Sequence, residues 1–250
     1  MQMDTGFRPS THGFGFPNTW HDLVLGVFTS RGRCGGMVFA ALDRFAAGVP
    51  LAPIEQARVL PDYRAPLAHH IWRRQIESVV GRLGSNLWRF AWLTYLPSHA
   101  PGGTASTTHR ELPGLLAALE AGQPVPLGLV SGLSIRHLAR NHQVLAYAAD
   151  VEGGLARIRV YDPNFPHQND VVLEVRTTDP GHVVERVGAR TIPWRGIFAE
   201  HYAPAPVPVA GVSTQSPAPA RTADRRLIVG AATVLGSAAA VWLLSRRRRS

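Results

Sequence analysis

The sequence predicts an α+β domain, helices first and an antiparallel sheet after them, followed by a C-terminal transmembrane helix. Three observations carry this. Between residues 34 and 122 apolar side chains recur at helical spacing, between 124 and 202 short apolar runs alternate with turn signals, and residues 227–245 hold no charged residue. A block of helices followed by a block of strands gives α+β rather than an alternating parallel architecture. With 250 residues, 45% of them hydrophobic and 17% charged, the chain has enough material for a sizeable core and is not disordered as a whole. It shows no internal repeat.

The first helix is expected over "CGGMVFAALDRFAAG" (34–48), with Met37, Val38, Ala41, Leu42 and Phe45 on one face and Gly48 and Pro50 as the stop. "PLAHHIWRRQIESVVGRLG" (66–84) reads as a second helix with Ile71, Ile76, Val79, Val80 and Leu83 inward. "THRELPGLLAALEAG" (108–122) would open on a capping box, Thr108 to Glu111, and end at Gly122. Strands are expected over 124–132, 142–151 and 155–162. The intervening "EGG" marks a hairpin turn between the last two. A further strand is expected over 170–175, and "WRGIFAEHYAP" (194–204) closes a domain of residues 10–202.

Residues 203–224 are rich in Ala, Pro and Ser and read as a semi-stiff linker. The uncharged run at 227–245 spans about 28 Å as a helix, close to the thickness of a bilayer core. Trp242 lies near one end, and Ala232, Gly236 and Ala240 fall four apart, a small-residue stripe suited to helix–helix association. Residues 246–250 form a basic tail. Arginines flank both sides of the run, and their distribution slightly favours the "RRRRS" end as cytoplasmic, in conflict with the next cue, which takes precedence. The N-terminus lacks a secretory signal, which places the domain on the cytoplasmic side of a single-pass C-terminal anchor. Seven arginines against Asp224 put +6 of the net +9 into residues 221–250. The remaining +3 is unremarkable, so the charge argues for no nucleic-acid partner.

The chain has one cysteine, Cys34, which allows no internal disulfide and no cysteine-pair metal site. It sits where a helix would begin, and helix-end N–H groups and the helix dipole favour a thiolate there. Gly35 and Gly36, poor helix formers, would let a substrate backbone approach the sulfur. A small buried cysteine is the alternative that the local sequence leaves open. A nucleophile needs a base and a group to orient it. His142 opens one strand of the expected hairpin and Asp162 ends the next, so antiparallel pairing makes them neighbours. Asp162 would fix the imidazole tautomer, and Asn164 competes for that role.

"GRCGGMVFAALDRF", followed far downstream by "NHQVLAYAAD" and "VYDPNFP", resembles the papain-like cysteine peptidases, and is most similar to bacterial domains related to double-glycine leader peptidases. The resemblance covers residues 14–202. It implies Cys34 as nucleophile, His142 as general base and then acid, Asp162 as the orienting residue, and an oxyanion hole made by the Cys34 N–H and an upstream side-chain amide. Residues 23–33 contain neither Gln nor Asn, unlike the family's pattern, and Asn18 is the candidate for that amide. The implied reaction is hydrolysis of a peptide or isopeptide bond in a peptide or protein substrate, with no cofactor or metal. A peptidase-like binding module without chemistry, and an acyltransferase using the same three residues, remain the alternatives.

Other groupings are weaker. His69 and His70 are adjacent on a helix, which is poor chelation geometry, and read as partly exposed. His137, His142 and His167 lack a zinc motif. Trp88, Phe90, Trp92 and Tyr95 read as core.

Overall fold

A computed structural model describes residues 2–24, 28–134 and 140–208. The expected anchor with Ala232, Gly236 and Ala240, the basic tail, residues 209–224 of the linker, the Leu83 side chain and His137 lie outside what is described. No helix among the described residues is long and apolar enough to cross a membrane.

The fold is mixed α+β around a curled antiparallel sheet. In chain order the elements are β1 (Gln2–Asp4), α1 (Pro9–His12), β2 (His21–Val24), β3 (Phe28–Arg31), α2 (Cys34–Ala46), α3 (Pro53–Gln56), α4 (Pro66–Tyr95) and α5 (Thr104–Glu120). The sheet strands follow: β4 (Val125–Val130), β5 (His142–Glu152), β6 (Leu155–Tyr161), β7 (Val172–Arg176), β8 (Asp179–Val187), β9 (Arg190–Trp194) and β10 (Gly196–Ala199). The sheet order is β10-β4-β5-β6-β7-β8-β9. β1 pairs with the far half of β5, beyond the stretch that β4 occupies. The sheet thus takes in Gln2–Asp4, N-terminal to the expected boundary at residue 10.

Two cores lie on opposite faces of this sheet. Inside the curl, Val144, Ile158, Leu173, Val183 and Trp194 pack with Leu112, Leu115 and Leu119 of α5. On the other face Leu145, Tyr147 and Tyr161 meet α2 and the aromatic residues Phe7, Phe14, Phe16 and Trp20. Strand alternation makes this division: along β5 His142, Val144 and Ala146 face the curl while Gln143 and Leu145 face α2. The hairpin between β5 and β6 turns on Gly153 and Gly154, both at positive φ (55° and 76°), as the "EGG" predicts.

Several expectations are corrected. α2 is buried almost all round, Phe39 and Ala40 as well as the expected face, because it lies between α4 and the sheet. Its stop is as expected, with Gly48 at φ 65°. α4 runs on past Gly84 (φ 75°) to Tyr95. Its buried face is Ala68, Ile71 and Ser78, with Ile76, Val79 and Val80 only half-buried. α5 starts at Thr104, with Gly103 as N-cap. Thr108 is no cap: its hydroxyl donates to the Ile197 carbonyl (3.1 Å) and accepts from the Ile197 N–H (2.9 Å), docking β10 onto the helix. Strands β8 and β9 and the β2–β3 hairpin were not expected. Pro180, Gly181 and Pro193 break the strand pattern in the first two.

Candidate active site

The N-terminus of α2 is held from both sides. Arg33 is buried, and its guanidinium forms a two-bond ion pair with Asp22 (both 2.8 Å) and donates to the Ala68 carbonyl (2.7 Å). The same group lies about 5 Å from the ring centres of Trp20, Tyr63 and Trp72. Planarity lets one guanidinium stack and donate at once. The next residue, Cys34, is thereby held at the first helical position. Gln75 of α4 accepts the Gly36 N–H (2.9 Å) and ties the first turn down from the other side.

Gly35 and Gly36 have a different reason from the expected one. Both are buried. A Cβ on Gly35 would come within 2.1 Å of Ser78 Oγ and 2.2 Å of Gln143 Oε1, and one on Gly36 within 2.1 Å of the Ile71 carbonyl. They are glycines because α4 and β5 approach the helix closely, not to clear a path for substrate.

His142 and Asp162 meet as the hairpin argument requires: His142 Nε2 to Asp162 Oδ1 is 2.7 Å. Asp162 Oδ1 also accepts the Asn164 backbone N–H at 2.7 Å. An ionised Asp162 makes Nε2 the protonated nitrogen, which leaves Nδ1 for the Cys34 thiol, a hydrogen-bond neighbour of the same ring. Trp194 lies parallel to the imidazole, with ring centres 6.2 Å apart and planes 17° from each other. Burial works against a charged His142. The adjacent Asp162 carboxylate and Cys34 sulfur outweigh that and hold its pKa well above the ordinary imidazole value. Burial likewise opposes ionisation of Asp162, but His142 overrides it and the carboxyl stays below its usual range.

Asn18 and Asn164 join the same cluster. Asn18 Oδ1 accepts the Arg33 N–H, and its Nδ2 donates to Asn164 Oδ1 (3.3 Å). Asn164 Nδ2 lies 3.1 Å from His142 Nε2. The Arg33 N–H fixes which way the Asn18 amide points, and Asn18 in turn fixes Asn164 with its NH₂ toward the imidazole. An NH₂ cannot accept from Nε2–H, so orientation of the ring falls to Asp162 and not to Asn164.

Cys34, His142, Asp162, Asn164 and Asn18 are thus brought together. Cys34 is half-buried as a residue, while His142 and Asp162 are buried. Sequence reasoning missed the supporting groups. Gln143 Oε1 is 3.8 Å from Cys34 Sγ, and its Nε2 donates to the buried Glu200 (2.7 Å). Burial pushes Glu200 up to about 8. Glu185 lies behind Asp162. The signal for Glu185 was there to read: in "HVVERV" it alternates in phase with Val183 and Val187, a charged residue on an apolar face.

The weaker groupings separate. His70 is buried, not partly exposed, and burial lowers it to about 4, while His69 is exposed. No group of potential metal ligands occurs among the described residues. His167 Nε2 instead contacts the Gln56 carbonyl (3.1 Å). Phe90 is core, but Trp88 and Trp92 are exposed and line, with Arg89, Leu93, Thr107 and Arg110, a cavity of about 300 Å³. No family model, curated protein or solved structure matches the chain.

Proposed function

We propose that the chain is a cysteine hydrolase of papain-like architecture, tethered to a membrane by residues 227–245, that cleaves a peptide or isopeptide bond through a thioester on Cys34. The observation that carries this reading is the shared imidazole: the ring within 2.7 Å of Asp162 is also the hydrogen-bond neighbour of the only thiol in the chain. A central helix beginning at that thiol, packed on an antiparallel sheet that supplies the base and its partner, supports the papain-like architecture. The uncharged run at 227–245 supports the tether.

His142 takes the Cys34 proton, and the sulfur attacks the carbonyl carbon of the scissile bond. The oxygen that gains charge is stabilised by the Cys34 N–H, a helix-end donor, and by the Asn18 amide, whose second N–H is not the one given to Asn164. Breaking the C–N bond releases the amine, which takes its proton from His142. A water then gives a proton to His142 and its hydroxyl to the thioester carbonyl, the C–S bond breaks, and the sulfur takes that proton back from His142. That step yields the carboxylic acid and restores the thiol. The Cys34 sulfur serves as the covalent carrier throughout.

The test is turnover of a fluorogenic peptide-amide library by the full chain in detergent. Turnover lost in Cys34→Ala and in His142→Ala supports the reading. Absence of turnover, together with no adduct at Cys34 from a thiol-directed electrophile, overturns it. Adding an amine nucleophile separates transfer from hydrolysis by the product formed. Flotation with lipid vesicles, present in the full chain and lost on deletion of 227–245, tests the tether.

A further inference from the structure

Asp162 has a second carboxyl behind it. Glu185, near the end of β8, is fully buried, with Leu173 and Ile192 as its cross-strand neighbours. Its Oε2 accepts the Trp194 Nε1–H at 2.9 Å. Its Oε1 is buried and has no protein donor directed at it. The carboxyl lies within hydrogen-bond reach of Asp162. Asp162 Oδ1 already faces two donors, the His142 Nε2–H and the Asn164 N–H.

Two carboxylates in contact in a dry pocket cannot both be ionised. The groups that face Glu185 decide where the single proton goes. From β5 comes His142, and from the end of β6 Asp162; β9 contributes the neutral donor Trp194. α5 turns Leu112, Leu115 and Leu119 to this core, with His109, Arg110 and Glu120 exposed and Glu111 paired to Arg89. On β7 and β8 the nearest charges, Glu174 and Arg186, pair with each other on the outer face. No described cation faces Glu185 except the imidazole, which is bonded to Asp162. The proton therefore stays on Glu185, and the unpartnered Oε1 becomes the donor that Asp162 receives. Burial first, then the Asp162 charge, push Glu185 up to about 8, in agreement.

We propose that Glu185, as the neutral acid, is a positioning residue of the site: it hands one hydrogen bond to Asp162 while accepting one from Trp194, and so fixes the carboxylate that orients His142. This rests on the hydrolase reading for its consequence in catalysis, but not for its protonation state. Trp194 holds the arrangement at both ends, since its ring covers His142 and its N–H holds Glu185.

The geometry assigns opposite outcomes to two substitutions. Glu185→Gln reproduces the neutral acid, its oxygen accepting from Trp194 and its NH₂ donating to Asp162. Glu185→Ala leaves both partners unmatched. With the single cysteine as reporter, the rate of iodoacetamide alkylation at pH 7 stays within about threefold of wild type in Glu185→Gln. In Glu185→Ala it falls roughly 10- to 100-fold, the loss of a hydrogen bond to a charged group. The pH profile of Glu185→Gln overlays that of wild type below pH 7. A Gln variant as impaired as the Ala variant overturns the proposal. A second measurement needs no variant to fold well: in full-length protein with carboxyl-¹³C glutamate, the Glu185 resonance is that of a neutral acid at pH 6.5, and an ionised resonance there refutes the assignment. If the carboxyl is neutral and no substrate is ever turned over, the hydrolase reading fails and the Glu185 assignment stands.

Discussion

Gly36→Ala separates two explanations of the glycines beside Cys34, and its size can be worked from the structure. Helix propensity alone says the change stabilises, since glycine inside a helix is about 1 kcal/mol worse than alanine. The added Cβ, however, would sit 2.1 Å from the Ile71 carbonyl and 2.9 Å from the Gln75 backbone nitrogen. Both are backbone atoms of α4, so no side-chain rotation relieves the contact. α2 would have to move away from α4 by more than 1 Å to reach van der Waals distance, in an interface that also contains Ile71 and Met37 at zero exposure. Overpacking of this kind costs about 1–3 kcal/mol and sometimes more. The clash therefore cancels the propensity gain at its lower bound and exceeds it elsewhere, for a net loss of up to about 2 kcal/mol. Gly114→Ala is the control: it lies in α5 with nothing within 4 Å of its Cβ, and should gain up to about 1 kcal/mol. Urea denaturation midpoints of the two variants against wild type give the answer. If Gly36→Ala stabilised as much as Gly114→Ala, the close-approach argument would be refuted and substrate clearance would return as the explanation.

The remaining predictions concern charge. Glu185 and Glu200 are each raised from an ordinary 4.5 to about 8, so folding holds protons that the unfolded chain releases. Their stabilising contribution is full below 4.5 and is lost as pH rises to about 8, at up to about 1.4 kcal/mol per pH unit per group. The raised His142 adds to the same decline above 6.5, while the lowered Asp162 acts in the opposite direction below 3.8. His70, lowered to about 4 by burial, opposes this decline between about 4 and 6.5. Thermal midpoints should thus fall from about pH 6.5 to pH 8, and Glu200→Gln should make the decline shallower; a midpoint rising over that range contradicts the assignment. Asp162→Asn removes the charge that supports the imidazolium, so the His142 titration followed by NMR should shift to lower pH and turnover should drop about 100-fold or more. Arg33→Met strips Asp22 of a buried partner and should cost about 3–5 kcal/mol in urea denaturation, with Arg33→Lys recovering little because it lacks the planar fork.

What was legible in the sequence was local or set by pairing. The β5–β6 hairpin follows from "EGG" because two glycines at positive φ leave few other conformations, and the hairpin by itself brings His142 to Asp162. The start of α2 at Cys34 and its stop before Gly48 are equally local. What could not be read was decided by contacts distant in sequence. Thr108 satisfies every local rule for a helix cap, yet it lies inside α5 because β10, some ninety residues on, docks onto its hydroxyl. Gly35 and Gly36 look like substrate clearance until α4 and Gln143 are placed against them. Trp88 and Trp92 alternate with core positions on α4 but face outward. In the sequence Asn18 is only the nearest upstream amide, and its bond to the Arg33 N–H shows why it stands beside Cys34: Gly32, at φ 90°, turns the chain so closely around it that any Cβ would strike the amide. Arg33 gave no local sign of being the clamp that holds the helix start.

The central claim is that His142 activates Cys34, and the most direct measurement is the second-order rate of Cys34 alkylation in wild type against His142→Ala. Because the chain has a single cysteine, intact mass spectrometry reads the adduct without ambiguity. The account predicts that the wild-type rate at pH 6.5 exceeds that of the variant by about 100-fold or more, in the range expected for a positioned base. Equal rates in the two proteins would contradict it.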